Sequence, residues 1–446
     1  MKKLLLVLMF LTGVTYINAQ EVERNPMDTL TSNVAALNSS MEVLKRLKIT
    51  GYIQAQFQYA DSAGQPSAAG GNFKSGVDKR FSVRRGRIKF TYSSPLNDRG
   101  FSTSQYVLQL DVTEKGLAIK DAYILLTDKW TGWFQLKGGM FDRPFGYEIG
   151  YSSSMRETPE RSRVTIASFP GERDLGATIA IQGPKSGNWN WLRIEGGLFN
   201  GVGAPGPGED MSDFDKMKDF IGRISMNRST ASEKMKYGFG ASYYNGGFRV
   251  DNDTVYSVGT DATGAKAFKV ENSTFKGQYS ERNYMGVDAQ VSVDWFPGIT
   301  SVRVEYLAGD QPGTSSNVIS ARAPVTSNLY KRKFDGAYIY FIQNLGSSPV
   351  QAIVKYDWFD PNTDVKGNEI GKAVSSGYKS LSPSDLRYDT WGFGLAYRWD
   401  SHVKLTAYYD MVTNETSENL PATSSRPSYQ KDLPDNVVTL RLQIKF

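Results

Sequence analysis

Apolar and polar residues alternate along most of this chain. From Leu47 onward, for example, Ile53 and Phe57 alternate with Gln54 and Gln56. A period of two residues is typical of a β-strand whose two faces meet different surroundings. Stretches of roughly ten residues can also cross a membrane as tilted strands. The pattern therefore predicts an all-β chain.

The alternating stretches recur sixteen times. We predict a 16-stranded antiparallel transmembrane β-barrel over residues 47–446, because single-chain bacterial barrels have an even number of strands. Connections after even-numbered strands are short, and those after odd-numbered strands are long except at a tight turn near residue 115. This alternation is typical of outer-membrane barrels. The predicted strands are 47–60, 80–93, 101–114, 117–127, 132–142, 171–182, 189–199, 218–228, 235–245, 282–295, 299–308, 333–344, 350–359, 388–399, 402–413 and 436–446.

The polar faces of these strands carry charges. In the stretch 350–359, Val354 and Tyr356 share one face, and Lys355 and Asp357 share the other. An unpaired buried charge is very costly, so such faces do not fit a dry core. The pattern indicates apolar faces toward lipid and a water-filled lumen, which sixteen strands leave open.

The chain ends on an aromatic residue in the lipid-facing phase, Phe446. The last strand must pair with the first to remove both sheet edges. A terminal aromatic resembles the signal that the barrel-assembly machinery of Gram-negative bacteria reads. We therefore expect that machinery as a partner and the outer membrane as the location.

Two segments precede the barrel. An apolar run follows Lys2 and Lys3 and is too short to span a bilayer as a helix. It predicts a secretory signal peptide over residues 1–19, with an uncleaved anchor as the alternative. Residues 20–46 are predicted to form a short periplasmic helix. Its apolar residues have coiled-coil spacing, which leaves open a helix against a larger body or a short trimeric coil: Leu30, Val34, Leu37, Met41 and Leu44.

Composition excludes several classes of function. The 446 residues are 22% charged with a mean hydropathy of −0.41, which argues against a helical membrane protein, and 13% are aromatic, enough for interfacial girdles. The net charge of +6 is too mild to indicate nucleic acid as a partner. The chain has no Cys, and its one histidine, His402, precludes His-rich metal sites and most Ser/His/Asp triads. We expect no cofactor and no enzymatic activity.

The second predicted strand, "RFSVRRGRIKF", is the most basic. Its apolar phase switches near Arg84 and Arg85, which predicts a bulge at Gly86. Planar guanidinium groups suit phosphate or carboxylate. Further lumen-phase cations include Lys137 and Arg193, and acids of the same phase leave open a wall that is simply ion-paired. The predicted anion pathway comprises Arg80, Arg84, Arg85, Arg87, Lys89, Lys120, Arg223 and Arg303.

Two long connections carry further candidate residues. Residues 143–170 are predicted to fold into the lumen as a constriction, with a surface lid as the alternative. Its charged residues are Arg156, Glu157, Glu160, Arg161 and Arg163. Near residue 360, Asp360, Asn362 and Asp364 alternate as in a calcium loop, but Val365 and Gly371 occupy positions where an EF-hand needs Gly and Glu. We predict an Asx-type turn and no metal, with calcium as the weaker alternative.

Several motifs resemble the phosphate-selective porin O and P family from about residue 45 to the end: "RRGRIKF", "KDAYI", "GGMFDRPFGYEIGYSSSMRETPERSR", "FDGAYIYFIQNLG" and "VKYDWFDPNTDVKGNEIG". The resemblance implies homotrimers of 16-stranded barrels, an inward third loop and lumenal arginines that guide anions. Arg84, Arg85 and Arg87 match its basic strand. The residues that match its constriction region are Lys120, Asp121, Arg156, Glu157, Arg161 and Arg163.

The sequence thus predicts passive diffusion of small anions, phosphate or other oxyanions foremost. A general porin for small hydrophilic solutes is the alternative. A structural barrel with an occluded lumen is a further alternative. A lipase is disfavoured, because its only possible imidazole base, His402, lies at a short turn.

Overall fold

The computed structural model describes residues 26–184, 187–204, 206–209, 212–424 and 426–446, so the predicted signal peptide lies outside the described residues. A helix, α1 (Pro26–Arg46), forms a compact unit of its own, separate from residues 48–446. Its heptad residues are exposed, as at Leu30, Leu37 and Leu44. The helix covers most of the predicted segment, and its pairing in a coiled coil stays a prediction. In the described ranges, no helix is long and apolar enough to cross a membrane.

Sixteen antiparallel strands close into a barrel, as the alternation predicted. The predicted and observed strand boundaries agree closely. The largest difference is at β9, which ends at Arg249. The barrel strands are β1 (Leu47–Ala60), β2 (Lys79–Ser93), β3 (Ser104–Thr113), β4 (Gly116–Thr127), β5 (Phe134–Asp142), β6 (Arg173–Gln182), β7 (Leu192–Phe199), β8 (Asp219–Ser229), β9 (Met235–Arg249), β12 (Tyr279–Trp295), β13 (Gly298–Asp310), β15 (Lys333–Asn344), β16 (Val350–Asp360), β17 (Tyr388–Arg398), β18 (Val403–Asn414) and β19 (Val437–Lys445).

The first and last strands close the barrel. Antiparallel pairing of β1 with β19 runs from Tyr52 opposite Lys445 to Ala60 opposite Val437. Beyond it, the Phe446 N–H donates to the Gly51 carbonyl at 2.9 Å, and the Gly51 N–H donates back at 3.0 Å. The Phe446 ring occupies the space that a side chain at residue 51 would need. Closure leaves the barrel itself without an exposed strand edge.

The barrel is apolar outside and polar inside. On β1, Ile53 is 51% exposed, whereas the neighbouring Gln54 is 1% exposed. The same contrast recurs on β19, where Leu440 is exposed and Arg441 is buried. An apolar outer band on a closed barrel with short turns at one end is the architecture of bacterial outer-membrane proteins. The barrel therefore faces outer-membrane lipid in a Gram-negative bacterium.

Two strands break the regular alternation and thereby add charges to the lumen. On β2, the consecutive residues Arg84 and Arg85 both contact Glu160, although successive side chains of a regular strand point to opposite faces. The irregularity lies where the phase switch predicted it. On β4, the β3 register passes from Asp121 directly to Ile119, so Lys120 is the extra residue of a bulge. The sequence carried this signal as a second phase switch, which we did not predict.

Four long connections pack together on the side opposite the short turns. They contain three strands that the alternation did not predict, β10 (Val255–Thr260), β11 (Lys266–Asn272) and β14 (Leu329–Tyr330), which form a small sheet of their own. A separate apolar core includes Tyr256, Phe268 and Leu381. Arg332 donates to Asp385 at 2.7 Å within it, and both side chains are fully buried.

Candidate functional site

The connection between β5 and β6, here called the inner loop (residues 143–172), lies inside the barrel. Its first part is held by inward-facing side chains of β9 and β13. The Gly146 N–H donates to Ser242 Oγ at 2.9 Å, and the N–H groups of Tyr147 and Glu148 both donate to Glu305 Oε2 at 3.0 Å. A carboxylate that accepts two backbone N–H groups fixes the loop's entry into the lumen.

The middle of the inner loop reaches the opposite part of the wall. Gln54 on β1 donates to the Ser153 carbonyl at 3.0 Å, and Gln443 on β19 donates to the Ser154 carbonyl at 3.0 Å. In the strand order of the barrel, β1 and β19 lie far from β9. The loop therefore crosses the lumen and does not form a lid over its mouth.

Glu160 is the centre of an ion-pair cluster that holds the loop to the wall. Its carboxylate accepts from Arg84 at 2.8 Å, Arg85 at 2.9 Å and Arg441 at 2.9 Å. Burial by itself would raise the pKa of Glu160, but Arg84 and Arg85, followed by Arg441, outweigh it and hold the pKa well below its usual range. The stabilisation is therefore present at neutral pH and is lost only as the pH falls through that lowered pKa.

The basic strand β2 thus lies largely behind the inner loop. Arg85 and Arg87 are buried, and Arg87 donates to Asp111 at 3.1 Å. Arg80 lies nearer the long loops, where it donates to Gln58 at 2.9 Å and stacks on the Phe73 ring. The structure brings these predicted cations together, but in contacts that position the loop.

Among the other charged loop residues, Glu157, Arg161 and Arg163 are engaged, whereas the guanidinium nitrogens of Arg156 are buried without a hydrogen-bond partner. Glu157 accepts two hydrogen bonds from Arg303 on β13, at 2.7 and 3.1 Å. Arg161 forms an ion pair with Glu172, and Arg163 lies 4.1 Å above the Tyr388 ring. Arg156 is buried, and burial followed by its neighbours Arg161 and Arg85 lowers its pKa to about 10.

The open space lies on one side of the inner loop. A cavity of about 280 Å³, here called the eyelet, separates residues 143–150 from side chains of β5, β7 and β8. On the other side, the gap beside Arg161, Lys355 and Asp410 is only about 20 Å³. The loop therefore fills one part of the lumen and leaves open space beside the opposite wall.

Cations outnumber acids on the eyelet wall, where Lys137, Arg143, Arg193 and Arg223 stand beside Asp142 and Glu195. Lys137 and Arg193 share Glu195, at 3.8 and 2.9 Å, and are 21% and 26% exposed against 11% for the acid. Arg223 donates to Asp288 at 2.5 Å and is 15% exposed, whereas Asp288 is fully buried. The eyelet wall is positive because its cations outnumber its acids by four to two. Of the predicted pathway residues, Arg223 borders it directly.

The remaining predicted cations lie at inward positions on other parts of the wall. Lys89 on β2 is opposite Gln109, which is buried inside the barrel. Lys120 is turned into the lumen by the β4 bulge, next to Asp121, which accepts from Arg173 at 2.7 Å. Their part in an anion pathway stays a prediction.

Comparison with known proteins gives a fold and no family. No protein-family model matches the chain. No curated protein matches it in sequence. The anion-selective porin from Comamonas acidovorans is 10% identical with a TM-score of 0.50, covering 90% of this chain and 99% of that one. The chain has a porin fold.

Two further structures are similar. The outer membrane channel DcaP of Acinetobacter baumannii is 10% identical with a TM-score of 0.49, and OmpF of Salmonella typhi in complex with daunomycin is 12% identical with a TM-score of 0.49. Each covers 90% of this chain and 97% of its own. Likeness at such identities concerns the porin fold alone. The structure with a TM-score of 0.50 is named as a porin and not as an enzyme, in agreement with the expectation of no enzymatic activity.

The calcium alternative finds little support near residue 360. Asp360 accepts from the Asn362 N–H at 3.0 Å, as in an Asx turn, and the Asn362 side chain donates to Asp385 at 2.8 Å. Asp364 borders another cavity beside Lys331 and Lys333. Among the residues that the structure describes, no three acidic or histidine side chains are grouped to hold a metal ion.

The path of the inner loop into the lumen requires glycine at position 146. Its φ of +61° favours glycine, and a Cβ there would collide with the Glu305 carboxylate. We expect Gly146→Ala to weaken the loop's anchorage by about 1–3 kcal/mol. Hydrogen exchange of the Tyr147 and Glu148 amides should accelerate. Gly150→Ala is the control, because its Cβ would meet no atom within 4 Å. Equal protection in both variants would contradict this role.

Proposed function

We propose that this protein is an outer-membrane porin through which small anions, such as phosphate or other oxyanions, diffuse passively. The observation that carries the proposal is the eyelet, whose four cations, Lys137, Arg143, Arg193 and Arg223, outnumber its two acids, Asp142 and Glu195. Rings of such charge select ions in water-filled pores. A cleft lined by one sign of charge also concentrates ions of the other sign without energy input.

The assembly belongs to the same proposal. Phosphate selectivity and homotrimers follow from the resemblance to the phosphate-selective porin family. The exposed heptad stripe of α1 supports a short coiled coil between copies, which would leave fewer apolar side chains in water. The exposed Phe446 at the end of β19 supports recognition by the barrel-assembly machinery.

One observation favours the alternative of a general porin. The eyelet cations Lys137, Arg193 and Arg223 are each in an ion pair, so the excess of positive charge over the whole passage is small. A passage with a small excess charge discriminates weakly between chloride and potassium.

Planar-bilayer recording separates the two functions. We expect a reversal potential biased toward anions in a KCl gradient, and a chloride current that phosphate blocks in the millimolar range, about −4 kcal/mol of affinity. An anion bias with no phosphate block would leave an anion channel without phosphate selectivity. A reversal potential near zero would establish the general porin.

A further inference from the structure

A second, larger cavity lies on the short-turn side of the eyelet. This vestibule has a volume of about 660 Å³. It is bordered by the ends of β8 and β12 and the starts of β9 and β13, which meet at the short turns. Such a volume lies within the range of roughly 300–1,000 Å³ typical of sites for whole organic molecules.

Uncharged hydrogen-bonding groups make up much of the vestibule wall. The absence of a side chain at Gly238 gives two amides room, since a Cβ there would lie 2.5 Å from Asn227 Oδ1 and 2.9 Å from Gln290 Oε1. Ser292 and Ser301 share a hydrogen bond of 2.9 Å on the adjoining wall. Amides and hydroxyls both donate and accept, so they match the hydroxyl groups of a solute.

The charge of the vestibule has one sign. Among the described residues that border it, none is an aspartate or glutamate. Lys236 is exposed to the cavity, and in the sheet it lies between Ser229 of β8 and Ser292 of β12. An exposed ammonium beside hydroxyl and amide groups offers contacts for an acidic group and for hydroxyls on the same molecule.

We propose that the vestibule binds hydroxylated organic anions, of which sugar phosphates and sugar acids are the simplest. The inference rests on the proposed function, because it names a class of anion that would pass the eyelet. The eyelet selects for negative charge, and the vestibule adds a preference for hydroxyl groups that a bare oxyanion cannot satisfy.

The test compares blockers of the KCl current in planar bilayers. We expect glucose 6-phosphate to block at a concentration about tenfold lower than inorganic phosphate, as about two additional hydrogen bonds would give. Asn227→Leu combined with Gln290→Leu should abolish that advantage. Gln105→Leu is the matched control, because Gln105 is a partly buried lumenal glutamine of β3, outside the vestibule. Equal block by both phosphates in the wild type would overturn the inference.

Two further measurements test the vestibule site separately from the anion selectivity of the proposed function. Lys236→Met replaces an exposed side chain and should leave the barrel folded, yet weaken block by glucose 6-phosphate. Unchanged block in this variant and in the double variant would also overturn the inference. The reversal potential in KCl tests anion selectivity separately. A channel without selectivity whose vestibule still prefers glucose 6-phosphate would refute the proposed function and support the binding site.

Discussion

Replacing Glu160 with glutamine is expected to release the inner loop and raise single-channel conductance. The carboxylate is the shared partner of Arg84, Arg85 and Arg441, and two of these guanidinium groups are almost fully buried. Removing one partner from a buried ion pair costs about 3–5 kcal/mol, because the remaining charge stays buried. The loop can relieve this cost by leaving the wall, which opens the part of the lumen that it blocks beside Glu160.

Conductance of Glu160→Gln in planar bilayers checks this expectation, together with hydrogen exchange of residues 152–163. Glu209→Gln is the control, because the Glu209 carboxylate is 54% exposed and its contact with Arg322 is a surface ion pair. Conductance and exchange equal to those of the control would mean that the loop does not depend on the Glu160 cluster.

The second large effect is expected at the eyelet. Lys137 and Arg193 share the single acid Glu195, so these three groups carry a net charge of +1. In the double variant Lys137→Met with Arg193→Met, only Glu195 remains charged, and the net charge of the three positions becomes −1. We expect the ratio of anion to cation permeability to fall about tenfold, which corresponds to about 1.4 kcal/mol.

Reversal potentials in a KCl gradient measure this ratio. Lys372→Met with Lys379→Met is the matched control, since it removes two exposed cations from a long external loop. If the eyelet variant and this control give the same potential, selectivity arises elsewhere in the lumen. Phosphate block in both variants then shows whether the same cations hold oxyanions.

Much of the fold could be predicted because the residue pattern of each barrel strand reflects the surroundings of its two faces. Lipid on one side and water or charge on the other impose alternation on every strand, as Ile53 beside Gln54 illustrates. The strands of the small external sheet were missed for the converse reason. Val255–Thr260 and Lys266–Asn272 pack on other loops, so neither face meets lipid.

The sequence by itself determined the sixteen strands, the face of most of their residues apart from the shift at the β4 bulge, and the closure of the last strand on β1. Only the tertiary structure decided which lumenal cations meet the passage. Alternation assigns a side chain to the lumen, but the inner loop fills part of that lumen through contacts with distant strands. Arg85 and Arg87 therefore lie behind the loop, whereas Arg193 and Arg223 border the eyelet. The periodicity of a strand carries no information about a segment that packs against it from elsewhere in the chain.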